Sequence, residues 1–194
     1  MKTIKLLLCL AVLATVFSAC KKDNTTANGH SSCTNTFPYV ADGHSLRYAI
    51  TFSFSDDTVF TVTFANTSTS GVYQATNVSD QGNYNATAYL QPCSGKLYDG
   101  SSIADVHTTA NYERMSSGTT GDAWTETVGQ TVYEYAVVGT NVPVTVAAGS
   151  FTCTKLTYHQ RNTANTDTIY FSPAAGDVKY DGFLLSYELE SKNF

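Results

Sequence analysis

His44-Ser45-Leu46-Arg47-Tyr48-Ala49-Ile50-Thr51-Phe52-Ser53-Phe54 alternates with a period of two. Leu46, Tyr48, Ile50, Phe52 and Phe54 take one face, and Arg47, Thr51 and Ser53 the other, because successive side chains of a strand point to opposite sides of its sheet. A helix groups residues three and four apart and would mix these two sets. The stretch is therefore a strand with one apolar face. Ser55-Asp56-Asp57 supplies turn chemistry, and Val59 to Ala65 returns with Phe60, Val62 and Phe64 alternating against Thr61 and Thr63, which makes the pair a hairpin.

The same period continues along the chain, and no stretch carries a convincing period of 3.6. Strands are predicted over Gly71 to Val78, Tyr84 to Gln91, Val106 to Glu113, Trp124 to Val128, Thr131 to Val138, Val142 to Val146, Ser150 to Tyr158, Thr166 to Phe171, Val178 to Tyr180 and Phe183 to Glu190. Asp181-Gly182 is the strongest turn signal, since a two-residue type I′ hairpin needs positive φ at both central positions. Short strands joined by Gly-, Asn- and Ser-containing turns predict an all-β, antiparallel meander forming a half-open or closed β-barrel, with a β-sandwich as the alternative. Long loops are expected at Ser94 to Asp105 and Met115 to Asp122, where Gly, Ser, Thr and Asp crowd together.

The N-terminus reads differently. Lys2 and Lys5 precede an apolar run from Leu6 to Phe17 that is too short to span a bilayer, and small residues Ser18-Ala19 stand before Cys20. This is the pattern of a bacterial lipoprotein signal, with residues 1–19 removed and Cys20 lipidated; the alternative is a plain secretory signal that leaves Cys20 an ordinary thiol. A thioether-linked diacylglycerol plus an amide-linked palmitate would hold the protein at a membrane, at about 0.8 kcal/mol per buried methylene. Residues 20–35, rich in Ser, Thr, Asn and Gly, form a flexible tether, and 36–194 a single β domain. Two of the 11 basic residues, Lys2 and Lys5, and none of the 16 acidic ones lie in the signal, so its removal shifts the formal charge from −5 to −7. That sign, without a basic cluster, excludes nucleic acid as a partner.

Lys21-Lys22-Asp23 resembles the start of mature Bacteroidota lipoproteins, in which charged residues after the cysteine direct export to the cell surface. Val146-Ala147-Ala148-Gly149-Ser150-Phe151-Thr152-Cys153-Thr154-Lys155-Leu156-Thr157-Tyr158, followed by Tyr170-Phe171-Ser172-Pro173-Ala174-Ala175-Gly176-Asp177-Val178-Lys179-Tyr180, resembles paired segments of uncharacterised Bacteroidota envelope lipoproteins. Those are similar to lipoprotein-carrier (LolA/LolB-like) half barrels. The resemblance implies a curved antiparallel sheet with an apolar concave face, in an outer-membrane lipoprotein that faces the periplasm or is displayed at the surface. It supplies no catalytic residues.

Cys33, before the first strand, and Cys93, after Gln91-Pro92, sit in surroundings able to meet the geometry of a disulfide, with Cys93 to Cys153 as the runner-up. Cys153, alternating with Phe151 in a strand, reads as a small buried hydrophobe. The chain has no G-x-S-x-G elbow, H-E-x-x-H pair, Walker loop or G-x-G-x-x-G, and His44, His107 and His159 lack partners at metal-site spacing. It is read as non-catalytic, without metal or cofactor. Of its thirteen Tyr, ten Phe and one Trp, the candidates for ligand contact are Trp124, Tyr98 and Tyr112 near the loop-rich middle, Trp124 also having a reading as a core ring. Two functions follow: an envelope protein holding an apolar or amphipathic ligand in a curved sheet, or a surface glycan-binding or adhesion module.

Overall fold

The alternating stretch becomes strand β1 (Ser45–Phe52), paired antiparallel with β2 (Thr58–Asn66) so that Leu46 faces Val62 and Tyr48 faces Phe60. Both apolar sets thus share one side of the sheet, where cross-strand contacts stabilise the pair. The computed structural model describes residues 33–55, 57–82, 84–106, 114–115, 117–128 and 130–194. Cys20 with its signal, most of the tether, Tyr112, His107 and nearly all of the strand expected over Val106 to Glu113 lie outside the described residues. Ten strands follow: β3 (Tyr73–Ser79), β4 (Asn85–Cys93), β5 (Lys96–Gly100), β6 (Arg114–Met115), β7 (Ala123–Val128), β8 (Thr131–Val146), β9 (Gly149–Gln160), β10 (Asp167–Ser172), β11 (Gly176–Asp181) and β12 (Leu185–Lys192). One helical turn, α1 (Ile103–Val106), stands between β5 and β6.

These strands form one antiparallel sheet in the order β6-β5-β4-β3-β2-β1-β12-β11-β10-β9-β8-β7. Every strand lies beside its sequence neighbours except that β6 and β7 stand at opposite edges, and the chain's first and last strands pair at the centre, Tyr48 opposite Leu189 and Ile50 opposite Tyr187. The edges are β6 and β7, so the sheet is a meander not closed into a barrel, and a two-sheet sandwich is not formed. A flat sheet would set β6 and β11, seven strand spacings apart, at a separation of about 33 Å. The Arg114 guanidinium nonetheless lies 2.7 Å from the Asp177 carboxylate. The sheet therefore curls, and that ion pair crosses its concave side.

Three sequence expectations change. Ser94 to Asp105 holds β5 and the start of α1 instead of a long loop; β5 has only Leu97 as an aliphatic anchor, and its pairing with β4 makes it a strand. Thr131 to Val138 and Val142 to Val146 are one strand, bent where the register to β9 shifts around Gly139 and Asn141 takes φ 55°. The bend brings the β8–β9 tip over the core, where Ala148 N–H donates to the Leu189 carbonyl at 3.2 Å. Asp181-Gly182 is not a type I′ turn, since neither residue has positive φ. Glycine stands at 182 because the Tyr180 ring lies against it: a Cβ there would come within 2.5 Å of the phenol.

One end of the curled sheet is plugged by the segment before β1. Phe37, Tyr39 and Val40 are buried, with the Phe37 and Tyr39 rings 6.0 and 6.4 Å from Phe171 and Tyr39 5.8 Å from Phe64. Asn35 ties this turn together: its Oδ1 accepts from Phe37 N–H at 2.7 Å, and its Nδ2 donates to the Val40 carbonyl at 3.0 Å. Cys33 is bonded to Cys93 at the end of β4, so Cys33 and Asn35, expected in the flexible tether, belong to the plug. Cys153 is free and buried opposite Val142. The 60-residue separation of the bridge corresponds to about 4 kcal/mol in the chain-entropy treatment. Cys33→Ser with Cys93→Ser should lower unfolding free energy by about that amount in urea titrations. The unlipidated parent chain, denatured without reductant, should show Cys153 as its one reactive thiol apart from Cys20 and the signal.

Candidate ligand cavity

Inward positions from β1 to β12 enclose a cavity of about 480 Å³. One side is aliphatic and phenyl: Ile50, Phe60, Val62, Phe64, Ala75, Leu90 and Leu97, supplied by β1 to β5. The other is phenolic and charged: Arg114, Glu126, Tyr133, Tyr135, Tyr158, Asp167, Asp177, Tyr180 and Tyr187, supplied by β6 to β12. Tyr39 of the plug forms part of the wall, and the exposed residues Thr163, Asn165 and Phe183, on the β9–β10 and β11–β12 turns, mark the mouth.

Strand register builds the phenolic side. Trp124 faces Tyr135, Tyr135 faces Tyr158, and Tyr180 faces Tyr187 across neighbouring strands. The rings stack at centroid distances of 5.2, 5.3 and 4.9 Å, Tyr158 approaches Tyr180 at 6.3 Å, and Tyr48 meets Tyr187 edge-on at 5.3 Å. This is one ladder of rings along the concave wall, each contact adding attraction beyond simple burial.

Its hydroxyls are committed. Tyr180 O–H donates to Asp167 Oδ2 at 2.8 Å, with Tyr158 Oη 3.1 Å from Tyr180 Oη. Tyr187 O–H donates to Asp177 Oδ2 at 2.9 Å, and Tyr135 O–H to Glu126 Oε2 at 2.7 Å. Arg114 grips Asp177 with two bonds, Nε to Oδ1 at 2.9 Å and a terminal nitrogen to Oδ2 at 2.7 Å, the paired geometry that suits guanidinium to carboxylate. Burial lifts the Tyr158 hydroxyl to about 12 and raises Tyr48, Tyr180 and Tyr187 far above the ordinary phenol, so these groups remain neutral donors.

Two acids near the sheet edges are strained electrostatically. Burial, and then the charge of Glu126, raise the Asp99 carboxyl of β5 to about 7, against the pull of Arg114. Burial raises Glu126 as well, over the opposing effects of the Tyr135 bond and Arg114. Both acids hold protons more tightly folded than unfolded, so stability falls as pH rises from the ordinary carboxylate range to about 7. Urea titrations across that window should show a decline of up to about 1.4 kcal/mol per pH unit for each such proton. Asp99→Asn should flatten the slope; a level profile in the parent protein would remove the buried acid pair.

The residues expected at the site fare unevenly. Trp124 is half-buried against the core cluster and stacked on Tyr135, and it is not among the residues that line the cavity. Tyr98 falls on the opposite side of β5 from Leu97 and is not among the residues that line this cavity. Its neighbour Leu97 is the β5 residue that reaches the cavity. Cys153 is buried, and burial followed by the charge of Asp177 raises its thiol to about 11, which leaves it a poor nucleophile at neutral pH. His44 stacks on Phe194 at 4.5 Å, and His159 lies 3.2 Å from Glu134. Among the described residues no three of His, Cys, Asp and Glu gather as a metal site would require.

Arg114, Glu126 and the Tyr135–Tyr158–Tyr180 series were not singled out from sequence. A signal existed for Glu126, which stands two residues after Trp124 in the inward phase of a strand. Arg114 offered none, because its strand is two residues long and its partner lies 63 positions away. The chain matches no protein-family model, no curated protein and no solved structure.

Proposed function

We propose that the protein is a membrane-anchored envelope lipoprotein, lipidated at Cys20, and that its curled sheet holds an apolar or amphipathic ligand without catalysing a reaction on it. The observation that carries this reading is the two-sided cavity of about 480 Å³, within the range of small-molecule sites. Its apolar side suits a hydrocarbon portion and its phenolic, charged side a polar head. Exposed Phe183 and Phe54, 67% and 47% accessible, stand on adjacent turns joined by Ser53 N–H donating to the Leu184 carbonyl at 3.1 Å. They form an apolar rim suited to receiving a ligand from a membrane in which the protein is tethered.

Native mass spectrometry of the mature chain carrying Cys20→Ser, prepared without detergent, tests the cavity. A retained small amphiphile is expected. A ligand-free protein that binds polysaccharide would favour the glycan-binding alternative instead. Fatty-acid labelling of the parent chain, lost in Cys20→Ser, tests the anchor; label retained by the variant would remove it.

A further inference from the structure

We infer that the cavity selects a positively charged head, a protonated or quaternary amine on an apolar tail. The inference rests on the binding function proposed above and adds the sign of the ligand. The cavity walls carry Arg114 against Glu126, Asp167 and Asp177, an excess of two acidic side chains over basic ones. The one guanidinium is already bonded twice to Asp177, which also accepts from Tyr187. An anionic head would have to displace Asp177 from Arg114 and then sit near Glu126.

Glu126 points the same way. It is 5% exposed, lines the cavity, and accepts a hydrogen bond from Tyr135 on Oε2. A carboxylate held largely out of water is costly, and a cation entering the cavity would offset that cost. Across the cavity, Asn77 Oδ1 is a buried acceptor without a partner among the described residues. Tyrosine rings flank Glu126, and their faces attract ammonium groups, most strongly where water is excluded. Carboxylate, aromatic faces and a hydrocarbon wall together describe an alkylammonium and reject a fatty acid.

The experiment compares three probes with the same dodecyl tail, dodecyltrimethylammonium, dodecanoate and an uncharged dodecyl oligoethylene ether, by calorimetric titration below their micellar concentrations. It uses the mature chain carrying Cys20→Ser, at low salt and at about pH 8, above the raised Asp99 carboxyl at about 7. The cation is expected to bind at least about tenfold more tightly than either other probe. Glu126→Gln should cut the ratio of cation to ether affinity to about threefold or less, with binding of the uncharged ether reporting that the cavity has survived the substitution. Equal binding of the three probes, or tighter binding of dodecanoate, overturns the cationic head and leaves the amphiphile-binding function standing. Binding of none of the three overturns both. The comparison in the parent protein decides the matter even if Glu126→Gln fails to fold.

Discussion

Phe37→Ala is expected to lower the free energy of unfolding by about 3 to 5 kcal/mol, whereas Phe54→Ala should change it by no more than about 0.5 kcal/mol. Phe37 is fully buried in the plug, edge-on to Tyr39 at 6.2 Å and tilted against Phe171 at 6.0 Å. Removing its ring opens a void at the closed end of the sheet, and the plug cannot collapse into it while Cys33 is bonded to Cys93. Phe54 lies beyond the end of β1 and is 47% exposed, so alanine there removes little buried surface. Urea denaturation of both variants gives the comparison. A Phe37→Ala protein as stable as its parent would mean that the segment before β1 does not seal the sheet.

Arg114→Met should cost about 3 kcal/mol, the lower end for breaking a buried ion pair, because the Arg114 and Asp177 side chains are 12% and 17% exposed. The loss comes mainly from leaving Asp177 charged and half-satisfied, with only the Tyr187 hydroxyl remaining of its described bonds. Arg114→Met combined with Asp177→Leu should recover most of that loss, since replacing both partners by apolar groups removes the desolvated charge as well as its attraction. The outer cluster provides a contrast. Arg47 bonds Asp80 and Glu190 at 2.7 Å each, but these side chains are about two-fifths exposed, and such pairs are worth little. If Arg114→Met proves neutral, the bridge across the concave side does not form in solution and the curl of the sheet needs another cause.

Much of the fold was legible because a half-buried strand has a local signature. The β1–β2 hairpin, the Tyr170 to Tyr180 hairpin and the strands of β3, β4, β9 and β12 were readable from alternation and turn residues alone. Strand β5 was not, because one aliphatic residue cannot establish a period and its pairing with β4 is what makes it extended. Two predicted strands merged into β8 because a shift in hydrogen-bond register can bend a ladder without ending it. The cavity was less legible still: of Trp124, Tyr98 and Tyr112, Trp124 stacks on Tyr135 without lining the cavity, Tyr98 is on the other side of its strand from Leu97, and Tyr112 lies outside the described residues.

By itself the sequence determined that the chain is all-β, that β1 and β2 share one apolar face, that Cys33 and Cys93 are able to meet, and that Cys153 packs as a hydrophobe. Each of these depends on side-chain phase, turn chemistry or loop freedom within a short stretch. Only the tertiary structure decided which aromatic rings form the plug and which the rim, and that Arg114 meets Asp177 beneath a ladder of tyrosines. Residues 63 positions apart become neighbours through the curl of a whole sheet, and curl is the sum of strand twist, bulges and inter-strand register. No local pattern encodes that sum, so the chemistry of the concave side appears once the strands are in place.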